Sequence, residues 1–284
     1  MKRTIETRRL APAAWLAAML AVGMAAPALG DAGTSEWVGT DEARIRIVSA
    51  EDRTGEGDTV ELGVEVRLAP GWKIYWRNPG DTGVPPEFDW SRSANLAGAT
   101  VHWPAPERSE SYGFDSLGYH DEVIYPVTVR LREPGAPLDL RLDLSYGICK
   151  EVCVPLRQEV SLSLPGGLAM ETPEARRIAR YRERVPEAAP AQGLVVESAD
   201  FDADGRLVVA IRSDIPLADP QLIAEAPSGA SLGAPERDLD EDGRHVRFRF
   251  AGEGVAGRDE LAGRTVRLTF VDRDRAVETA RLLP

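Results

Sequence analysis

The sequence predicts an all-β protein of two β-sandwich domains joined by a short helix. Three observations carry this expectation. Apolar residues recur with period two in short runs along most of the chain, a helical start-and-stop pattern occurs once, and aromatic residues and cysteines divide unevenly between the halves. With 43% hydrophobic and 28% charged residues over 284 positions, the chain can fill a packed core and is unlike a disordered polypeptide. Its two cysteines are too few for a disulfide-stapled miniprotein.

Residues 1–30 read as a secretory signal. Lys2, Arg3, Arg8 and Arg9 make a basic start, Ala11 to Ala26 is an uncharged apolar run, and Ala26-Pro27-Ala28 or Ala28-Leu29-Gly30 offers small residues for cleavage. The run is short for a membrane span and polar, acidic sequence follows it. Arg8-Arg9 hints at the twin-arginine route, but Leu10-Ala11 fits that pattern poorly, so general secretion is the expectation. Removing this segment, with its four basic residues and one acidic residue, takes the formal charge from −12 to −15. Such a chain makes nucleic acid and anionic lipid poor partners. No later stretch approaches the roughly 20 apolar residues of a span, so a soluble exported protein is expected after cleavage.

The first domain is expected over residues 31–168. Ile45 with Ile47, then Val60 to Val66, Val127 to Leu131, Leu138 to Leu144 and Val160 to Leu164, alternate as strands bounded by Gly, Pro and Asp. Trp37, Trp72, Trp76, Trp90 and Trp103 and both cysteines fall here, whereas no Trp, Tyr or Cys follows Tyr181. Residues 169–192 read as a linker carrying the helix. Thr172 is the expected N-cap, Pro173 the first helical residue and Glu174 an acid at the positive helix end, with a stop at Pro186. The second domain, residues 193–284, repeats the strand pattern at Leu207 to Ile211, Val246-Phe248-Phe250 and Val266-Leu268-Phe270.

The strongest chemical signal is Tyr146-Gly147-Ile148-Cys149-Lys150-Glu151-Val152-Cys153-Val154-Pro155. In an oxidising compartment two cysteines this close pair structurally, cycle between redox states, or bind metal. Closing so short a loop gives only about 2 kcal/mol in the chain-entropy model, against about 4.7 kcal/mol for a hundred-residue loop. This is a poor place for a bridge whose purpose is stability, and a local, turn-borne bridge suits electron exchange. Lys150 favours thiolate and Glu151 opposes it, so these two are expected to serve mainly as solvated surface. Copper through the two sulfurs and one of His102, His120 or His245 is the metal reading; zinc is weaker because a closed site wants four ligands.

Several motifs occur in order: Gly71-Trp72-Lys73-Ile74-Tyr75-Trp76-Arg77-Asn78-Pro79-Gly80-Asp81-Thr82-Gly83, Trp103-Pro104-Ala105-Pro106, Tyr112-Gly113 with Gly118-Tyr119, and the turn from Cys149 to Pro155. Together they resemble the N-terminal periplasmic domain of the DsbD thiol:disulfide interchange family, and more closely its ScsB-like branch. The resemblance covers roughly residues 37 to 165 by motif, and beyond residue 190 by domain layout alone.

It implies immunoglobulin-like form for both sandwiches, a periplasmic location, and a thiol:disulfide oxidoreductase component of the protein-disulfide reductase type. Electrons would pass from a membrane electron-donor protein, a thioredoxin-like domain, or both, through Cys149 and Cys153 to exported disulfide-containing proteins. Family order favours Cys153 as the attacking thiol. The resemblance also points to cytochrome c biogenesis and copper tolerance as settings, and to no cofactor or bound metal. A shielding loop is expected at Ser109 to Tyr119, with Tyr112 or Phe114 as its aromatic residue. Trp72 and Tyr75 are expected beside the pair and Trp76 in the core. Two departures stand out: the best-known members have five residues between their cysteines and this chain has three, and it ends at Pro284, so a separate electron donor is expected. The rival reading is a non-catalytic periplasmic binding module, copper-binding or partner-docking, with a structural disulfide.

Overall fold

Strands with one apolar face must cover that face, and this chain does so by stacking four sheets two by two. The computed structural model describes residues 33–81, 83–111, 114–229, 231–250 and 256–284. The expected secretory signal at 1–30 lies outside the described residues. The first half contributes β1 (Val38–Gly39), β2 (Ala43–Ser49), β3 (Thr59–Leu68), β4 (Lys73–Gly80), β5 (Glu87–Asp89), β6 (Leu96–Val101), β7 (Glu107–Ser111), β8 (Phe114–His120), β9 (Glu122–Leu131), β10 (Leu138–Cys149) and β11 (Cys153–Leu164). After helix α1 (Ala175–Glu183) come β12 (Glu187–Ala188), β13 (Leu194–Phe201), β14 (Leu207–Ser213), β15 (Pro220–Glu225), β16 (Glu236–Leu239), β17 (His245–Arg249), the short α2 (Arg258–Leu261), β18 (Thr265–Asp272) and β19 (Arg275–Leu282).

The architecture is two immunoglobulin-like β-sandwiches with a short helix between them. In the first, a sheet ordered β1-β2-β3-β9-β6 faces one ordered β11-β10-β4-β8-β7, with β5 paired to β10. Their inward residues, among them Ile45, Leu62, Val64, Ile74, Trp76, Leu142 and Tyr146, form one buried cluster. Each large apolar side chain removed from water contributes about 1.5–3 kcal/mol, which makes this alternation the main stabilising term. In the second, sheets β12-β19-β18-β15 and β13-β14-β17-β16 enclose Leu207, Val209, Ile211, Phe248, Phe250 and Phe270. β12 lies within the 169–192 stretch and pairs in parallel with β19.

Helix α1 begins later than the cap signal suggested. Its N-cap is Glu174, with no side-chain cap bond. Thr172 is tied to the sheet instead: its hydroxyl donates to the Ser49 carbonyl at 2.5 Å and accepts the Glu174 N–H at 3.2 Å. Pro173 therefore precedes the helix. Ile178 fills a small cluster with Val48 and Ile124 on the outer side of the first sheet. The stretch Ser109 to Tyr119, expected as a loop, falls largely in the β7–β8 hairpin, because Leu117 and Tyr119 are core residues and Lys73 bonds to Ser116 across β4 and β8.

Candidate functional site

The site is built on the β10–β11 hairpin. Its strands pair from Leu138 opposite Leu164 up to Ile148 opposite Val154 and Cys149 opposite Cys153, so the two sulfurs meet at the turn end of a long antiparallel ladder. They are joined in a disulfide, with Cα atoms 4.2 Å apart. Lys150 to Val152 form the turn. On its other edge β10 pairs with β4, placing Ile148 opposite Ile74 and Cys149 opposite Lys73. Cys149 is thus interior to the sheet and buried at 7% exposure, whereas Cys153, on the outermost strand, is exposed.

Tyr75 is the aromatic residue in hydrogen-bond contact with the pair. Its hydroxyl oxygen lies 3.3 Å from Cys153 Sγ, and the residue is almost wholly buried. Burial raises its pKa, so the phenol keeps its proton and is available as a donor to sulfur. Gly83 packs against the ring, and Val84 lies against Gly147 on β10, its carbonyl accepting the Gly147 N–H at 3.2 Å. Lys73 is buried as well. Its ammonium donates to Ser116 Oγ at 2.5 Å and Ser109 Oγ at 3.4 Å and lies 5.9 Å from the centre of the Tyr75 ring. Burial lowers the Lys73 pKa, and the charge of Asp115 partly opposes this. Val152 and Val154, which flank Cys153 in the chain, and Val84 are exposed, and so are the charged Lys150 and Glu151 of the turn.

The other expected residues fall as follows. Trp76 is in the core, and Trp72 is half-buried and packs on the same cluster. Phe114 is 53% exposed and pairs with Ser111 at the tip of the β7–β8 hairpin. Its end of β8 is opposite to the one at His120, whose partner Lys73 faces Cys149. Tyr112 lies outside the described residues. Lys150 reaches back to the Pro70 carbonyl at 3.4 Å.

The three histidines lie apart. His102 is half-buried beside Thr128 Oγ1, and burial together with Arg182 pushes its pKa down to about 4. His120 stands two strands from Cys149, about 10 Å at ordinary strand spacing. His245 is bonded to Asp240 in the second sandwich. Among the described residues the cluster with metal-capable geometry is Asp240, Asp242 and His245, exposed and without a cysteine.

Lys73 and Gly83 entered the sequence analysis only as members of the motif from Gly71 to Gly83, with no role of their own, and Val84 was passed over. The signal for Lys73 was present: alternation in Lys73-Ile74-Tyr75-Trp76-Arg77 puts it on the face of Tyr75.

Residues 42–165 match the family model described as thiol:disulfide interchange protein DsbD, N-terminal, and residues 184–283 match a domain of unknown function (DUF8393). No curated protein matches the chain. Among solved structures, the N-terminal periplasmic domain of ScsB from Proteus mirabilis is 23% identical, covering 89% of this chain and 99% of that chain, with a TM-score of 0.72. The DsbD N-terminal domain from Neisseria meningitidis in its reduced form is 21% identical, covering 44% of this chain and 89% of that one, with a TM-score of 0.23. The first of these structures shares the two-sandwich fold. The first sandwich therefore combines a match to the DsbD N-terminal family model with a paired cysteine hairpin, a combination that suggests a thiol–disulfide exchange module. Among the described residues, no helix is long and apolar enough to cross a membrane.

Proposed function

We propose that, with residues 42–165 matching the DsbD N-terminal family, this chain is a periplasmic thiol–disulfide exchange protein. Cys149 and Cys153 carry electrons from a membrane-borne or thioredoxin-like donor to exported disulfide proteins. Residues 1–30 serve as the export signal, 31–168 as the redox sandwich, 169–192 as the linker and 193–284 as the second sandwich. The observation that carries this reading is the asymmetry of the disulfide: Cys153 is exposed between the exposed Val152 and Val154, and Cys149 is buried one strand further in.

The chemistry follows from that asymmetry. A donor thiolate attacks the accessible Sγ of Cys153, the S–S bond breaks, and Cys149 leaves as the thiolate. A second donor thiol then displaces Cys153, leaving the donor oxidised and both cysteines reduced. In the forward half, the Cys153 thiolate attacks one sulfur of a target disulfide and the other target sulfur leaves and takes a proton. Cys149 then attacks Cys153 Sγ, releasing the reduced target and re-forming the original bridge. Two electrons and two protons pass in each cycle. Tyr75 donates its hydroxyl hydrogen bond to Cys153 whenever that sulfur is a thiolate, which favours the nucleophilic form. Val84, Val152 and Val154 supply an apolar surface for the partner around the reacting sulfur.

The rival copper-binding reading gains no support from the histidines, since none of the three bonds or pairs directly with a cysteine among the described contacts. Trapping separates the readings. In Cys149→Ala the exposed Cys153 lacks its resolving partner and is expected to accumulate mixed disulfides with exported proteins, whereas Cys153→Ala accumulates few. Absence of mixed disulfides in both variants, with tight copper binding by the reduced wild type, would contradict the exchange reading.

A further inference from the structure

Side chains two apart on a strand point the same way, so β4 presents Lys73, Tyr75 and Arg77 on one face while Ile74 and Trp76 enter the first core. Tyr75 on this face meets Cys153. Arg77 leaves the first sandwich: its guanidinium donates to Glu225 on β15 at 2.7 Å, to Glu278 on β19, and to Thr269 Oγ1 on β18 at 3.4 Å. Its flat side lies 4.0 Å from the centre of the Trp76 ring. A planar cation shared by two carboxylates and stacked on an indole is held from several directions at once.

Neighbouring contacts follow the same path. Asn78 donates to the Gly229 carbonyl at 2.8 Å, and Arg108 on β7 donates to the Leu222 carbonyl at 3.0 Å. Ile223 of β15 is buried in the cluster of the first sandwich. Inside that sandwich, Tyr125 donates its hydroxyl to the Tyr75 carbonyl at 3.3 Å, a long bond and a modest restraint on β4.

We propose that the second sandwich braces the redox site, and that Arg77 is the positioning residue through which it holds β4 and sets the Tyr75 hydroxyl against Cys153. This rests on the exchange reading above and gives the second sandwich a part in it. Arg77 and Tyr75 are about 6.6 Å apart along the strand, so a displacement of about 1 Å at Arg77 reaches Tyr75 almost undiminished. A hydroxyl–sulfur contact of 3.3 Å is of ordinary length, and a shift of about 1 Å away from the sulfur takes it beyond hydrogen-bond reach. Without that donor the Cys153 thiolate is less favoured and the reduced site reacts more slowly. The other charged groups near Tyr75 and Cys153 are Lys73, Asp81, Asp115, Lys150 and Glu151, and every variant below keeps them.

The test uses the reduced full chain and the rate at which iodoacetamide modifies Cys153, resolved by mass and followed from about pH 5 to 10. Tyr75→Phe is expected to move the midpoint of the profile upward and to slow modification at neutral pH by about tenfold, the effect of one hydrogen bond to a charged group. Arg77→Met should move it in the same direction, Arg77→Lys by less, and Tyr75→Phe combined with Arg77→Met no further than Tyr75→Phe alone. If Arg77→Met fails to fold because Glu225 is left buried without its cation, Arg77→Met with Glu225→Gln takes its place. A midpoint unmoved by loss of Arg77, or a shift that adds to that of Tyr75→Phe, would overturn the proposal. Because alkylation needs no partner protein, a failure of the exchange reading in the trapping experiment leaves this result readable on its own.

Discussion

Tyr75 reaches Cys153 because glycines leave room for its strand and its ring. Gly118, opposite Tyr75 on β8, allows β4 and β8 to close: a Cβ there would stand 2.3 Å from the Ile74 carbonyl oxygen. Gly83 has φ +137°, and a Cβ on it would come within 2.4 Å of the Tyr75 ring. Gly83→Ala therefore combines backbone strain with a collision, at a cost of about 2 kcal/mol. It should lower the thermal midpoint by several degrees and slow alkylation of reduced Cys153 as Tyr75→Phe does. Full-rate alkylation in Gly83→Ala would show that Tyr75 does not need this packing. The cysteines and Tyr75 were legible in the sequence because their chemistry and their strand phase can be read locally. The packing of Gly83 was not, since the chain turns away after Gly80 and returns over the ring, and nothing in the residue order records that return.

Helix α1 is fastened to the first sheet by one buried carboxylate. Glu65, with no exposed side-chain surface, accepts from Arg46 at 2.7 Å and from Arg177 of α1 at 2.6 Å, while Arg177 also bonds Glu122 and Glu174. Burial by itself raises the Glu65 pKa, but the hydrogen bonds and charges of Arg177 and Arg46 prevail and hold it below its ordinary 4.5. A carboxyl whose folded pKa lies below its unfolded one stabilises the fold above the unfolded value and loses that contribution as pH falls through the folded one. Glu65→Gln should then cost about 3 kcal/mol at neutral pH, with the deficit shrinking in acid well below the ordinary carboxylate value. Urea midpoints of both proteins along a pH series check this, and a deficit independent of pH would contradict it.

At the same scale, β2, β3, β9, β10, β11, β14, β17 and β18 could be read from alternation because one face of each supplies a core, although on β2 and β9 the outer Val48 and Ile124 are also buried, under Ile178 of α1. β15 could not: Leu222 and Ala224 enter the second core while Ile223 and Glu225 meet the first sandwich, so both of its faces are buried and the alternation disappears. β7 was hidden for a related reason, since Arg108 is polar yet packs between Asp115 and the Leu222 carbonyl of the second sandwich.

Across the whole molecule, the disulfide, the face of β4 and the second sandwich form one line of contacts from Cys153 through Tyr75 and Arg77 to Glu225 and Glu278. The division into two sandwiches was foreseeable from where aromatic residues and cysteines fall, but their docking was not, because Arg77 read alone is one arginine among many in an acidic chain. The central claim is that the Cys149–Cys153 bridge is a working redox couple and not a staple. Its reduction potential, measured on the full chain in glutathione or dithiothreitol buffers, tests that claim most directly. The account predicts a value in the range of redox-active pairs, between about −270 and −120 mV; a value well below about −300 mV would mark a structural disulfide and contradict it.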